Sequence, residues 1–239
     1  MLYTQTVAPG TLDLIKRFMA DESLKDFYLV GGTALSLKIG HRISIDIDLF
    51  THKDFDAKAI GDTIAERYKP EEIQVIKNGV FTRTGGIKTD MIAHQYPLIK
   101  PVEETEGIRF ISLEDIGAMK LEAIFQNGTR LKDFVDVYFL LEHTSLKEMT
   151  VAYEAKYPDA NGKLAHNALL YHNDIEFDLP VKLLEGNLVW QPVAERLKEA
   201  VLSPLKIFSS QKLAERPSEK KRMPLKRNKS YRQGRGKRL

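Results

Sequence analysis

The stretch GGTALSLKIGHRISIDIDLF, residues 31–50, decides the reading of this chain. It joins a Gly-Gly turn and a short amphipathic run to an apolar strand that carries two carboxylates two positions apart. Side chains alternate between the faces of a strand, so Asp46 and Asp48 are expected on one side while Ile45, Ile47 and Leu49 enter the opposite layer. Neighbouring carboxylates repel unless a cation or a shared proton relieves them. Hard oxygen ligands that leave room for water and phosphate suit magnesium. Upstream, Leu29-Val30 reads as a buried strand ending at Gly31-Gly32, where a helix over Thr33 to Lys38 begins. Free amides at a helix start attract phosphate. The glycines let backbone come close to a ligand, and Thr33 adds a hydroxyl donor. A phosphate site and a metal site are therefore expected side by side.

The order strand, Gly-Gly, helix, strand with Asp-x-Asp resembles the first motif of the DNA polymerase beta-type nucleotidyltransferase superfamily. The fuller string, GGTAL followed by HRISIDIDLF, is similar to the AbiEii/AbiGii-type nucleotidyltransferase toxins of bacterial abortive-infection and toxin-antitoxin systems. This resemblance implies an α+β fold, a polymerase beta-like core of mixed sheet flanked by helices. It also implies a third carboxylate on a neighbouring strand. The run Gly86 to Ala93, GIKTDMIA, offers Asp90 in an apolar, strand-like setting. By resemblance, Asp46, Asp48 and Asp90 hold Mg2+ or Mn2+, and Asp90 acts on the incoming hydroxyl as general base or second-metal ligand.

A third segment, AMKLEAIFQNGTRLKDFVDVYFLLEH at 118–143, reads as a helical pair. Ser112 with Asp115 resembles a capping box, and Ile116, Met119, Leu121 and Ile124 follow at helical spacing until Asn127-Gly128 closes the helix. Phe134, Val137, Tyr138 and Leu141 form the buried stripe of the second helix. A lysine followed by a basic-Asp-x-x-Asp helix start resembles the third motif of the same toxin family. The resemblance assigns triphosphate binding to Lys120, Arg130 and Lys132, with Asp133 organising the basic cluster. Asp133 and Asp136 are also read as first-turn acids favoured by the helix dipole. The family often carries its basic residue closer to the end of the first helix, where this chain has Asn127. Arg42, just before the metal strand, is a further candidate for phosphate contact; His41 beside it reads as part of a turn.

The 239 residues suffice for a sizeable core, and 43% hydrophobic with 29% charged residues is ordinary for a globular protein. No apolar run approaches the roughly 20 residues needed to cross a bilayer, and the first residues lack the pattern of a secretory signal, so no membrane partner and a cytoplasmic location are expected. Cysteine is absent and the remaining histidines show no ligand spacing, so no structural zinc site is expected. Three regions are expected: a nucleotidyltransferase core at 1–111, a mainly helical region at 112–215 completing the cleft, and a basic tail at 216–239. The coarse reading places helices at Thr11 to Met19 and Asp56 to Tyr68, with strands at Phe27 to Val30, Ser44 to Phe50, Ile73 to Lys77, Val80 to Thr84, Ile87 to Ala93 and Ile108 to Ile111. Further helices are expected at Val151 to Lys156, Lys163 to Tyr171 and Val193 to Leu202, with Trp190 as a core anchor.

The tail holds 11 Lys or Arg and one acid, Glu219, whereas residues 1–215 hold 25 basic and 32 acidic residues. Such a segment cannot bury enough apolar surface to offset its ordering entropy and should be disordered when free. It reads as a solubilising extension, as an arm lying on the acidic body, or as an RNA-binding arm whose cations neutralise phosphates. The resemblance implies transfer of an NMP from an NTP to an acceptor hydroxyl, with a tRNA 3′ end as the RNA acceptor and a cognate antitoxin protein as partner. Alternatives are transfer to a small molecule, as in aminoglycoside nucleotidyltransferases, transfer to a protein side chain, or a non-catalytic RNA-binding module.

Overall fold

A computed structural model describes residues 1–210; the basic tail read from the sequence lies outside the described residues. After a short 3-10 turn at Thr4–Thr6 comes α1 (Pro9–Ala20), begun by a proline at its first position, where a missing N–H costs nothing. Leu14, Ile15 and Phe18 form its buried stripe. Next come the two-residue β1 (Tyr28–Leu29), α2 (Gly31–Ile39), β2 (Ile47–Thr51) and α3 (Ala57–Tyr68). Strands β3 (Glu72–Ile76), β4 (Gly79–Thr84) and β5 (Ile87–Ala93) form a meander, and β6 (Glu103–Thr105) and β7 (Ile108–Phe110) a hairpin.

All seven strands make one mixed sheet in the order β3-β4-β5-β2-β1-β7-β6. β2 runs parallel to β5, and β1 parallel to β7; the other neighbours are antiparallel. Gly85 and Gly86 both have positive φ, +59° and +76°, and form the two-residue turn that lets β4 and β5 pair from Thr84 and Ile87 onward. β6 escapes the sequence reading because Glu103, Glu104 and Thr105 are an exposed polar edge with no apolar alternation. Strand β2, which carries Asp48, begins three residues later than the expected Ser44. Ile45 consequently does not enter the opposite layer: it is 68% exposed, whereas Ile47 and Leu49 are fully buried.

Beyond the sheet the chain is helical: α4 (Leu113–Gln126), α5 (Leu131–Leu140), α6 (Leu146–Lys156), α7 (Gly162–Leu170) and α8 (Trp190–Leu202). α4 packs on α5, α6 and α7, while α2 meets both α4 and α5 and so joins sheet to helices. Ser112 caps α4 by accepting from the Asp115 N–H, but Asp115 does not complete a reciprocal box. Its carboxylate instead accepts from the Ile99 and Lys100 amides and pairs with buried Lys156 at 2.8 Å. A full capping box, Ser145 with Glu148, opens α6 five residues before the expected start. Trp190 packs edge-on against Phe134, His172 and Phe177. No described helix is long and apolar enough to cross a membrane.

Candidate active site

The parallel pairing of β2 with β5 puts Asp48 directly opposite Asp90. Residues in register on adjacent strands point to the same face, so both carboxylates leave the sheet together. Asp46 precedes the strand by one residue and is partly exposed, with Oδ2 3.9 Å from Lys132 Nζ. Thr33, 1% exposed, holds that approach: its hydroxyl bonds the Asp46 carbonyl oxygen and lies 2.8 Å from Ser44 Oγ. The hydroxyl expected to meet phosphate is thus engaged inside the fold, where it shapes the entry to β2.

Burial raises the Asp48 carboxyl above its ordinary range, and the charges of Asp90 and Asp46 add to the effect against the opposing Lys120 and Lys132. Asp90 Oδ2 accepts from Lys88 Nζ at 2.7 Å, while the buried Oδ1 has no protein partner. The Lys88 ammonium is held charged by that bond and by Asp46 and Asp48. Lys88 was missed in the sequence, although strand alternation places residue 88 on the same face as Asp90.

Gly31 opens α2 at φ +68°, a conformation L side chains rarely adopt, and a Cβ there would sit 2.5 Å from Asp48 Oδ2. At Gly32 a Cβ would land on the Arg42 guanidinium. Both glycines are therefore required by the side chains beneath them. Val30 precedes the helix without any side-chain cap, which leaves the first-turn amides of α2 beside the acids.

Under this surface lies a buried ionic layer. Asp136, fully buried, accepts from Arg42 Nε at 2.6 Å and Nη2 at 3.0 Å, bonds His41 Nε2 at 2.8 Å and pairs with Lys120 Nζ at 2.5 Å. Lys120 also bonds Asp133 Oδ1 at 2.7 Å, and Arg130 lies 3.2 Å from Asp133 Oδ2. Burial alone would raise the Asp136 carboxyl, but Arg42, Lys120 and His41 outweigh it and hold it well below the usual range. Burial likewise works against the Lys120 ammonium, and Asp136 and Asp133 prevail to keep it charged.

This layer corrects two expectations. Arg42 is not presented to a phosphate; it is 5% exposed and bidentate on Asp136, supporting α2 from below. Asp136 is not a first-turn acid, because α5 begins at Leu131 and places it in the second turn, as the hub of the buried charges. Asp133 lies in the first turn and pairs with Lys120 and Arg130. Lys120 is tied to both acids, while Lys132 and Arg130 stay 42% and 46% exposed at the rim.

Among the described residues no three acidic, histidine or cysteine side chains form a closed metal site. The donors nevertheless suit a hard cation, with carboxylates on adjoining strands, mutual repulsion and one unpartnered buried carboxylate oxygen.

Residues 13–217 match the protein family described as "Nucleotidyl transferase AbiEii toxin, Type IV TA system". An uncharacterized protein of Aquifex aeolicus (strain VF5) is 32% identical over 182 residues, covering 74% of this chain and 86% of that protein. Among solved structures, a Helicobacter pylori protein designated a nucleotidyltransferase superposes with TM-score 0.53 at 21% identity, covering 81% of this chain and 90% of that one. The H. pylori protein JHP933 gives 0.48 at 20% identity, covering 85% and 93%.

Proposed function

The chain belongs to the AbiEii nucleotidyl transferase toxin family, and from that premise we propose that it moves an NMP from an NTP to a hydroxyl at an RNA 3′ end. A tRNA is the proposed acceptor, arrest of growth the effect, and a cognate antitoxin protein the partner. The observation that carries this reading is the in-register pair Asp48 and Asp90 beside the uncapped start of α2.

In this reading Gly31 and Gly32 bring main-chain N–H groups to the triphosphate. Lys132 and Arg130, half-exposed at the rim, reach its outer oxygens, and Lys120 adds positive charge from below. Asp46 and Asp48, with Asp90, would hold Mg2+ or Mn2+. Bound there, the ion would neutralise charge on the transferring phosphoryl group. Asp90 takes the proton of the acceptor hydroxyl. The acceptor oxygen forms its bond to the α-phosphorus, the bond from that phosphorus to the bridging oxygen breaks, and pyrophosphate leaves with the electron pair. Positioned charge at the transferring group is the dominant catalytic term in such sites. Lys120 acts as a positioning residue that fixes Asp133 and Asp136 and sets the field at Asp48.

Incubating the full chain with each labelled NTP and total RNA, with and without Mg2+, tests the reading. Metal-dependent label on RNA, abolished by Asp48→Asn, is expected. Label on a small molecule or on protein would replace the acceptor, and no transfer to any acceptor would remove the enzymatic reading.

A further inference from the structure

Asp90 belongs to a row of side chains that crosses four strands. The registers set Asp48 opposite Asp90, Asp90 opposite Phe81, and Phe81 opposite Gln74, all on one face. The next row on that face is Lys88, Arg83 and Glu72. The other face is the packed one. Met91 and Val80 are fully buried there, and α3 comes so near that a Cβ on Gly61 would meet Val75 Cγ2 at 2.6 Å. A cavity of about 290 Å³ opens on the row face directly off Asp90 and runs to Glu72, lined by Lys88, Phe81, Arg83 and Gln74 among others. Gly79 makes room for the Phe81 ring, whose edge would lie 3.0 Å from a Cβ at that position.

We propose that this cavity seats the 3′-terminal nucleotide of the acceptor, with its base on Phe81 and its phosphodiester on Arg83 and Lys88. The inference rests on the nucleotidyl-transfer reading and adds the place and chemical class of the second substrate. Direction supports it. In-line displacement requires the attacking oxygen to approach opposite the departing pyrophosphate. The α2 start flanks Asp48, whereas the cavity flanks Asp90 away from β2, so a hydroxyl in the cavity approaches from the opposite side. The lining supports it as well. Bases stack on aromatic side chains irrespective of sequence, and the two cations of the second row suit phosphate. Lys88 pairs with Asp90 at 2.7 Å and Arg83 with Glu72 at 3.5 Å, but both cations are about half exposed. The Arg83–Glu72 pair is exposed on both sides and weak, so Arg83 can turn to a phosphate, and the half-exposed Lys88 ammonium can face a phosphate with its remaining N–H groups while it holds Asp90. A polycationic small acceptor would instead meet Lys88 and Arg83 before it reached Asp90.

The test is fluorescence anisotropy of a short single-stranded oligoribonucleotide with a free 3′ hydroxyl, using the full chain, Mg2+ and a non-hydrolysable NTP analogue. Phe81→Leu and Arg83→Gln should each weaken binding about tenfold, the order expected when one stacked base or its neighbouring phosphate contact is lost. A terminal 4-thiouridine should crosslink within residues 72–90. Since Phe81 is partly packed, Arg83→Gln and the crosslink serve as readouts that do not depend on the core. Binding within twofold of wild type in both variants, or a crosslink confined to other segments, overturns the proposal. A wild-type chain that ignores the oligoribonucleotide yet transfers label to another acceptor overturns this inference alone; absence of transfer to every acceptor overturns the reading beneath it.

Discussion

Lys88 and Asp90 stand two residues apart on β5, and the Lys88 ammonium lies 2.7 Å from Asp90 Oδ2. Three acids are thus supplied with one cation from within the sheet itself. A divalent ion engaging Asp90 must compete with that ammonium and with its charge at Asp46 and Asp48. Half-exposed pairs contribute up to about 1 kcal/mol. Lys88→Met is therefore expected to bind Mn2+ about threefold more tightly, as read by paramagnetic resonance titration of the ion. Equal or weaker binding would mean that Lys88 does not compete for the acids.

Gly31 meets two demands at once, a left-handed backbone and contact with Asp48 Oδ2. Gly31→Ala should cost about 1–3 kcal/mol, the range for a strained backbone position, and should also displace the Asp48 carboxylate. Nucleotide transfer should then fall well beyond what the lost stability accounts for. Chemical denaturation beside a transfer assay separates the two effects; a variant with wild-type turnover would show that the close contact is dispensable.

Asp48 and Asp136 should respond oppositely to pH. The folded-state pKa of Asp48 is raised, so its contribution to stability is fully present below the ordinary value of 3.8 and is lost as pH rises through the folded value. Asp48→Asn should therefore be more stable than the native chain at pH 7, and the difference should vanish on acidification below about 3.8. Asp136 is depressed, so its contribution is fully present above 3.8 and is lost progressively as pH falls below 3.8 towards its much lower folded value. Asp136→Ala, which strands Arg42 as a buried charge and leaves Lys120 with Asp133 alone, should cost about 3–5 kcal/mol near neutrality. Urea melts of both variants from pH 3 to 7 give the two slopes; parallel behaviour would mean that these environments are misassigned.

What the sequence disclosed came from local signals. Alternation along one strand singled out Asp46 and Asp48, the Gly-Gly turn located the start of α2, and the family resemblance pointed to Asp90 in its apolar, strand-like run. Where reading fails, the determinant is distant in the chain. Arg42 and Asp136 are 94 residues apart and meet only because α2 packs on α5, so nothing near Arg42 tells a phosphate ligand from a buried counter-ion. The same holds for Thr33, whose hydroxyl is taken by Asp46 across a loop. Ile45 looked like strand because it is apolar, yet pairing with β5 begins only at Ile47. The Phe81 platform was unreadable until three strand registers had been fixed.

The final prediction concerns charge along the chain. Residues 1–215 carry an excess of acids and residues 216–239 an excess of ten positive charges, so an RNA acceptor is repelled by one part and attracted by the other. Each single-strand phosphate neutralised contributes about 0.7 to the slope of log affinity against log salt. A chain ending at residue 215 should therefore bind RNA more weakly at low salt and with a slope flatter by several such increments. Transfer to a short acceptor at saturating concentration should survive, since the acids, α2 and the cavity beside Asp90 all lie within residues 31–136. Filter binding at a series of salt concentrations measures the slope. An unchanged slope would remove the basic segment from RNA recognition, whereas loss of transfer to the short acceptor would place it in the reaction itself.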